Sequence, residues 1–264
     1  MTEIALLTSI DGRVTPSDEA LLPLPDNGFF RGDGVFEVLR AYAGQVFALK
    51  EHLDRLERSA SAIDLQLDRE AIEKESLSLL ATQERPDCLI RIVSTRDGRR
   101  VISLEHLLVH PPSITLATVQ YSPTVILDRV KSLSYAANMQ ATRIAKKAGA
   151  DEALLVTPDG TVLEAPTSTL FWVSETGNLR TTDTEVGVLD SITRAKVIER
   201  CQVETGRFPI RDVMTSSEAF LVSTTREIQP VRMIDDETIP TFPAPVTLEA
   251  SAAFQTALTE ELRS

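Results

Sequence analysis

The chain has 264 residues, 42% of them hydrophobic, and a formal net charge of −12. This is enough apolar material for one large domain or two modest ones, and so acidic a chain lacks the clustered lysine and arginine that a nucleic-acid backbone demands. Cys88 and Cys201 lie far apart with no Cys-x-x-Cys pair, which indicates neither a disulfide framework nor a zinc site and points to a reducing, cytoplasmic setting.

No stretch approaches the length of a membrane span, and the apolar run Ile4 to Leu7 lacks the basic flank of an export signal. Between Val46 and Leu67, the residues Leu49, Leu53, Leu56, Ala60 and Ile63 recur at spacings of four and three, which predicts a helix with one buried stripe. The β-branched runs CLIRIVST and SITLATVQ, between Cys88 and Gln120, read as strands of one sheet separated by the polar stretch Arg96 to Arg100. A Ser-Pro-Thr stretch within Tyr121 to Val125 marks the expected linker.

In the second half, Ala137, Ala141, Ile144, Ala145 and Ala148 share a helical face that Gly149 ends. A β-hairpin follows, in which Thr157-Pro158-Asp159-Gly160 joins EALLV to TVLEA. TLFWV and AFLV read as strands, Ile192 to Glu204 as a helix stopped by Gly206, and Val246 to Leu262 as a terminal helix.

Taken residue by residue, the polar positions have ordinary explanations. Arg55 reads as a solvated helix arginine paired with Asp54 or Glu51, and His52 as a residue facing solvent or a domain edge. Glu164 fits the exposed face of a hairpin, and Lys146 and Lys147 complement the helix dipole late in their helix. Tyr135 fits a core aromatic with a satisfied hydroxyl, and Arg96 to Arg100 a charged hairpin turn. His106 and His110 lack an acidic ligand at metalloprotease spacing, so no metal site is expected.

Four segments nevertheless occur together: RGDGVFEVLRAY with FALKEHLDRL, VKSLSYAANMQATRIAKKAGADEALL, GTVLEAPTSTLFWV, and VGVLDSITRAK with FLVSTTREIQPV. Their order and spacing resemble those of the class IV aminotransferases, the family of D-amino-acid transaminases, branched-chain transaminases and aminodeoxychorismate lyases. The resemblance runs from Asp26 to about Val231. It implies an α+β, two-domain fold-type IV enzyme dependent on pyridoxal 5'-phosphate (PLP) and like the D-amino-acid aminotransferases. Residues 1–120 would form a small N-terminal α/β domain and 121–264 a larger, barrel-like mixed α/β domain. The family also implies a homodimer that takes an amino donor and a 2-oxo acid, with no nucleic-acid or membrane partner.

The resemblance assigns roles as follows. Lys131 would form the Schiff base and act as general base, and Arg55 would bind the cofactor phosphate with its planar fork. Ile192 and Thr193 at a helix start, with Ser191 as the cap, would complete a phosphate cup with Ser223 and Thr224. Glu164 would face the pyridine nitrogen, Tyr135 the ring oxygen, and Leu189 the ring face. Ser191 and Ala165 stand where the family usually has glycine, and Thr169 where it has asparagine.

Substrate contacts would come from Phe36, which replaces the family's tyrosine, from Thr225, and from one of Arg96, Arg99 and Arg100, with Arg100 preferred. GDGVFEV and VSTTREIQPV resemble the D-amino-acid transaminase group most. STLFWV also resembles the lyases, GVFEVLR and Tyr135 fit a branched-chain enzyme, and an (R)-amine transaminase is a further reading. A cofactor-free binding protein on the same scaffold is the non-enzymatic one.

Overall fold

The structure is a computed structural model that describes residues 4–241 and 244–263. The chain divides into two units, one running to Leu108 and taking in Val130–Tyr135 and the stretch from Glu261, the other holding Val109–Arg129 and Ala136–Glu260. The expected boundary at 120/121 therefore falls inside the second unit, because the strand ending at Gln120 pairs with strands of that unit.

The first unit contains β1 (Leu7–Ile10), β2 (Arg13–Pro16), α1 (Asn27–Arg31), β3 (Gly34–Tyr42), β4 (Gln45–Val46), α2 (Leu49–Ala62), α3 (Arg69–Leu80), β5 (Cys88–Thr95) and β6 (Arg100–Glu105). Its six strands form an antiparallel sheet in the order β2-β1-β6-β5-β3-β4. The apolar stripe of α2 behaves as its spacing predicts. Leu53, Leu56 and Ala60 are buried against Leu39, Ile90 and Ile92 of the sheet, and Leu49 and Ile63 pack at the edge of the same core. Burying a leucine side chain in such a core stabilises by about 2 kcal/mol.

The second unit contains β7 (Ile114–Gln120), α4 (Ala136–Lys147), β8 (Glu152–Val156), β9 (Thr169–Val173), β10 (Leu179–Thr182), α5 (Ile192–Arg200), β11 (Val203–Gly206), α6 (Ile210–Met214), β12 (Glu218–Ser223), β13 (Glu227–Ile234), β14 (Glu237–Thr238) and α7 (Pro245–Glu261). Seven strands follow the order β11-β10-β9-β12-β13-β7-β8, and β14 pairs with β13. The sheet is mixed, since β7 runs parallel to both β8 and β13 while β12 is antiparallel to β9 and β13.

Three expectations are corrected. CLIRIVST and SITLATVQ are β5 and β7 but belong to different sheets; β5 lies between β3 and β6, and the start of β6 lies inside the run of charges that hid it. The helix expected over 192–204 stops at Arg200, because Cys201 turns extended and the β-branched pair Val203 and Thr205 joins Leu179 and Thr181 in a parallel ladder. The hairpin turn at Thr157–Gly160 forms, but its second arm is not a continuous strand. Leu163 N–H donates to Leu155 C=O while Leu155 N–H donates to Glu164 C=O, so two residues oppose one and the ladder ends there.

Candidate active site

Lys131 is fixed through its backbone. Its N–H donates to the Ser59 hydroxyl at 3.2 Å, its C=O accepts from Phe36 N–H at 3.0 Å, and two residues on Leu133 N–H donates to Gly34 C=O at 2.9 Å. A Cβ at Gly34 would lie 2.7 Å from Leu133 Cδ1 and 2.5 Å from the Ser94 carbonyl, so the second glycine of Gly-Asp-Gly permits a close approach of two backbones. The Lys131 amine stands 4.5 Å from the centroid of the Phe36 ring and 6.0 Å from that of Tyr135, and the two rings meet edge to face at 5.3 Å. Aromatic faces attract a cation, which holds the lysine over these rings.

Arg55 is not the solvated residue its spacing alone suggests. It is buried, and its Nε and Nη2 donate to the two carboxylate oxygens of Glu37 at 2.6 and 2.8 Å. Asp54 pairs instead with Lys50 and Arg69. His52 is likewise buried rather than facing solvent, with its Nδ1 2.8 Å from Glu37 Oε2. Burial pushes the Glu37 carboxyl up, but the charge and hydrogen bonds of Arg55 and the bond from His52 outweigh this and hold it below the carboxylate range. Burial also holds His52 below its ordinary 6.5, against the pull of Glu37 and with the charges of Arg55 and Lys131 adding to it. His52 is therefore neutral near pH 7 and donates from Nδ1 to Glu37.

Sequence reasoning missed Glu37, His52 and Ser59 as parts of this arrangement. The available signal was the spacing of His52, Arg55 and Ser59 at i, i+3 and i+7, which lays three polar residues on one helix face beside the apolar stripe.

In the second unit, Glu164 follows the broken ladder, and its Oε1 accepts Leu189 N–H at 2.9 Å. Ser191 caps α5 by accepting Arg194 N–H at 3.3 Å. Its φ of −77° and ψ of 129° are open to any residue, so the serine forms this turn without needing the family's glycine. Ile192 and Thr193 occupy the first two helical positions and are buried; their N–H groups have no acceptor within the helix. Arg194 Nη2 donates to Thr182 C=O at 3.1 Å.

Thr224 and Thr225 form the turn between β12 and β13, where Ser223 Oγ accepts Arg226 N–H at 3.2 Å and lies 3.3 Å from Thr225 Oγ1. Thr169, at the start of β9 and paired with Val222, is buried, and its hydroxyl has no hydrogen-bond partner among the described residues.

The three candidate carboxylate-binding arginines are each committed elsewhere. Arg96 pairs with Asp33 at 3.0 Å and donates to the carbonyls of Ile63 and Asp64, Arg99 pairs with Asp11 at 2.7 Å, and Arg100 donates Nε and Nη2 to Glu75 at 3.0 and 2.8 Å. Arg100 is held by Glu75 through the same two nitrogens by which Arg55 is held by Glu37, so this pairing does not single it out over Arg96 and Arg99. His106 and His110 lie in the irregular stretch between β6 and β7, and no group of His, Cys, Asp or Glu among the described residues could hold a metal ion. No helix among them is long and apolar enough to cross a membrane.

A family model for amino-transferase class IV matches residues 34–234. A putative branched-chain-amino-acid aminotransferase of Methanocaldococcus jannaschii is 34% identical, over 87% of this chain and 88% of its own. A D-alanine aminotransferase of Bacillus licheniformis is 28% identical over 95% and 96%, and an aminodeoxychorismate lyase of Bacillus subtilis 28% identical over 86% of each. Among solved structures, a fold IV transaminase of Curtobacterium pusillum superposes with a TM-score of 0.84 at 25% identity, covering 94% of this chain and 98% of that one. The smaller six-stranded and larger eight-stranded units are thus the two domains of the fold-type IV transaminase fold. The chain belongs to the class IV aminotransferases, a family that uses PLP.

Proposed function

We propose that this chain is a PLP-dependent transaminase that moves an amino group between an amino acid, preferably a D-amino acid, and a 2-oxo acid. The observation that carries the reading is the Lys131 amine, held over Phe36 and Tyr135 by a backbone pinned at both polar groups. The donor set suits the cofactor. Arg55 offers a buried guanidinium squared up by Glu37 for a phosphate dianion, and the start of α5 adds amides and the Thr193 hydroxyl. The buried hydroxyl of Thr169 and the half-buried Thr224 are further polar groups of the kind such a ligand satisfies.

PLP, when bound, supplies an electron sink for the pair released from a substrate Cα–H bond. The residues do the rest. Lys131 Nζ would take the Cα proton as a general base and then, as an acid, give it up to the cofactor side rather than back to Cα. The Glu164 carboxylate, held by Leu189 N–H, keeps a proton on the pyridine nitrogen. Within the first unit, Arg55 would serve the phosphate and Tyr135 the ring oxygen; within the second, Ser191, Ile192, Thr193, Ser223 and Thr224 would serve the phosphate and Leu189 the ring face. Phe36 and Thr225 border the substrate.

The preference for a D-amino donor rests on GDGVFEV, on VSTTREIQPV, and on the likeness to a D-alanine aminotransferase across nearly the whole chain. A branched-chain L-amino acid is the second reading, supported by the 34% identical relative. Two further features are proposed. A homodimer would cover the exposed Leu21, Leu24, Phe29 and Phe30, and the two free cysteines suit a reducing, cytoplasmic location.

The test is to add PLP to the purified chain and look for a visible band bleached by borohydride, then to assay D-alanine, D-glutamate, L-leucine, (R)-1-phenylethylamine and aminodeoxychorismate separately. Amino transfer from D-alanine or D-glutamate supports the proposal. Turnover of L-leucine with no D-amino acid moves the reading to a branched-chain enzyme, pyruvate release from aminodeoxychorismate moves it to a lyase, and no PLP uptake overturns it.

A further inference from the structure

We infer that Ser59 is a positioning residue for the Lys131 amine, setting where it stands relative to the Arg55 guanidinium; this rests on the reading of Lys131 given above. The observation is a closed circuit of contacts within the first unit. Ser59 Oγ accepts Lys131 N–H, Lys131 C=O accepts Phe36 N–H, and the next residue of β3, Glu37, binds Arg55, which lies one helical turn before Ser59 on α2. His52, one turn earlier again, ties to the same carboxylate.

One face of α2 therefore carries both the guanidinium and the acceptor for the lysine backbone, while β3 holds the opposite polar group of that backbone. The helix rise of 1.5 Å per residue makes the Arg55–Ser59 separation rigid, so the amine is referred to a fixed ruler rather than to a loop. Residues 130–135 meet β3 at the bridge between Val35 and Ser132, where Phe36 N–H donates to the Lys131 carbonyl. The acceptor of the Lys131 N–H is a side chain, that of Ser59, itself 2% exposed.

A backbone N–H deprived of its acceptor shifts toward another one, and a shift of Cα carries Nζ with it. Misplacement of a reacting group by about 1 Å is enough to slow a reaction substantially without weakening ground-state binding. Ser59 thus acts through Lys131 and touches no substrate itself.

The experiment compares the holoenzyme with Ser59→Ala, Ser59→Thr and Ser76→Ala. Ser76 is a control of matched character, buried on α3 with its hydroxyl donating to the Ile72 carbonyl at 2.7 Å, and so reports generic loss of a buried serine. Ser59→Ala is expected to lower kcat about tenfold with KM for the amino donor within about twofold, and Ser59→Thr to recover most of the loss. In the cofactor-free protein, hydrogen exchange of the Lys131 amide should quicken about tenfold in Ser59→Ala and stay unchanged in Ser76→Ala. Wild-type kcat in Ser59→Ala, or an equal kcat loss in Ser76→Ala at matched thermal stability, overturns the inference. A wild-type protein that takes up no PLP sinks the Lys131 reading and this inference together, whereas active wild type with an equally active Ser59→Ala sinks this inference alone.

Discussion

Glu37 and Arg55 form a buried two-point ion pair, with both carboxylate oxygens taken by one guanidinium and His52 completing the set. Removing one charge from such a pair leaves the other uncompensated. Glu37→Gln is expected to destabilise the chain by about 3 kcal/mol, read as a lowered urea midpoint at unchanged slope. Arg55→Lys should also weaken PLP uptake, because an ammonium cannot span the two oxygens of Glu37 while presenting a planar edge to phosphate. A Glu37→Gln protein as stable as wild type would show that the pair contributes nothing net.

Stability should fall as the pH drops from 7 to 5, and His52 is the reason. Its folded value lies below the ordinary 6.5, so under mildly acid conditions the unfolded chain binds a proton that the folded one refuses. The slope from this one residue is at most about 1.4 kcal/mol per pH unit. Glu37 acts in a lower window: its carboxyl is depressed, so its contribution is complete above the ordinary 4.5 and is lost as the pH falls further. Urea unfolding at pH 5, 6 and 7 should give a flatter profile for His52→Gln than for wild type; identical profiles would mean that another group titrates.

Lys131→Ala should lower amino transfer by about a thousandfold while changing unfolding free energy by no more than about 1 kcal/mol, since the side chain is half-buried and its backbone contacts survive the substitution. Borohydride should then incorporate no cofactor into the variant. Retained activity would place the reactive amine elsewhere.

Substituting Arg96, Arg99 or Arg100 by alanine should leave KM for the amino donor within about threefold, because each guanidinium is partly exposed and ion-paired with a partly exposed carboxylate. Among the three, Arg100→Ala should lower stability most, by about 1 kcal/mol, as its pair with Glu75 is the most enclosed. A tenfold rise in KM for any one of them would restore it as a carboxylate contact.

What could be read from the sequence followed how local each signal was. The α2 stripe and the strands CLIRIVST and TLFWV are periodic within a few residues and appear as expected, whereas of the α4 face only Ala141 and Ala145 are buried and Ala137, Ile144 and Ala148 are exposed. The division of β5 and β7 between sheets was not legible, because partners chosen across dozens of residues leave no mark on either strand's own pattern. The motif residues were identified by resemblance, but their mutual contacts were not. Nothing near Arg55 in sequence announces that its partner is Glu37, 18 positions away on a strand, and a conventional reading of helix charges offered Asp54 or Glu51.

The short stretch Val130–Tyr135 is bonded into the first unit while the chain on either side of it is built into the second. A fragment ending at Leu108 would therefore lack the lysine, and one beginning at Val109 would carry the lysine without Ser59 or Phe36. A single cut that keeps the amine with its mounting has to fall after Tyr135, and it then carries off Val109–Arg129, which belongs to the second unit. Shuffling by simple exchange of front and back halves among relatives must replace Val130–Tyr135 along with the front half, so recombination between them is expected to succeed only when that stretch travels with β3 and α2.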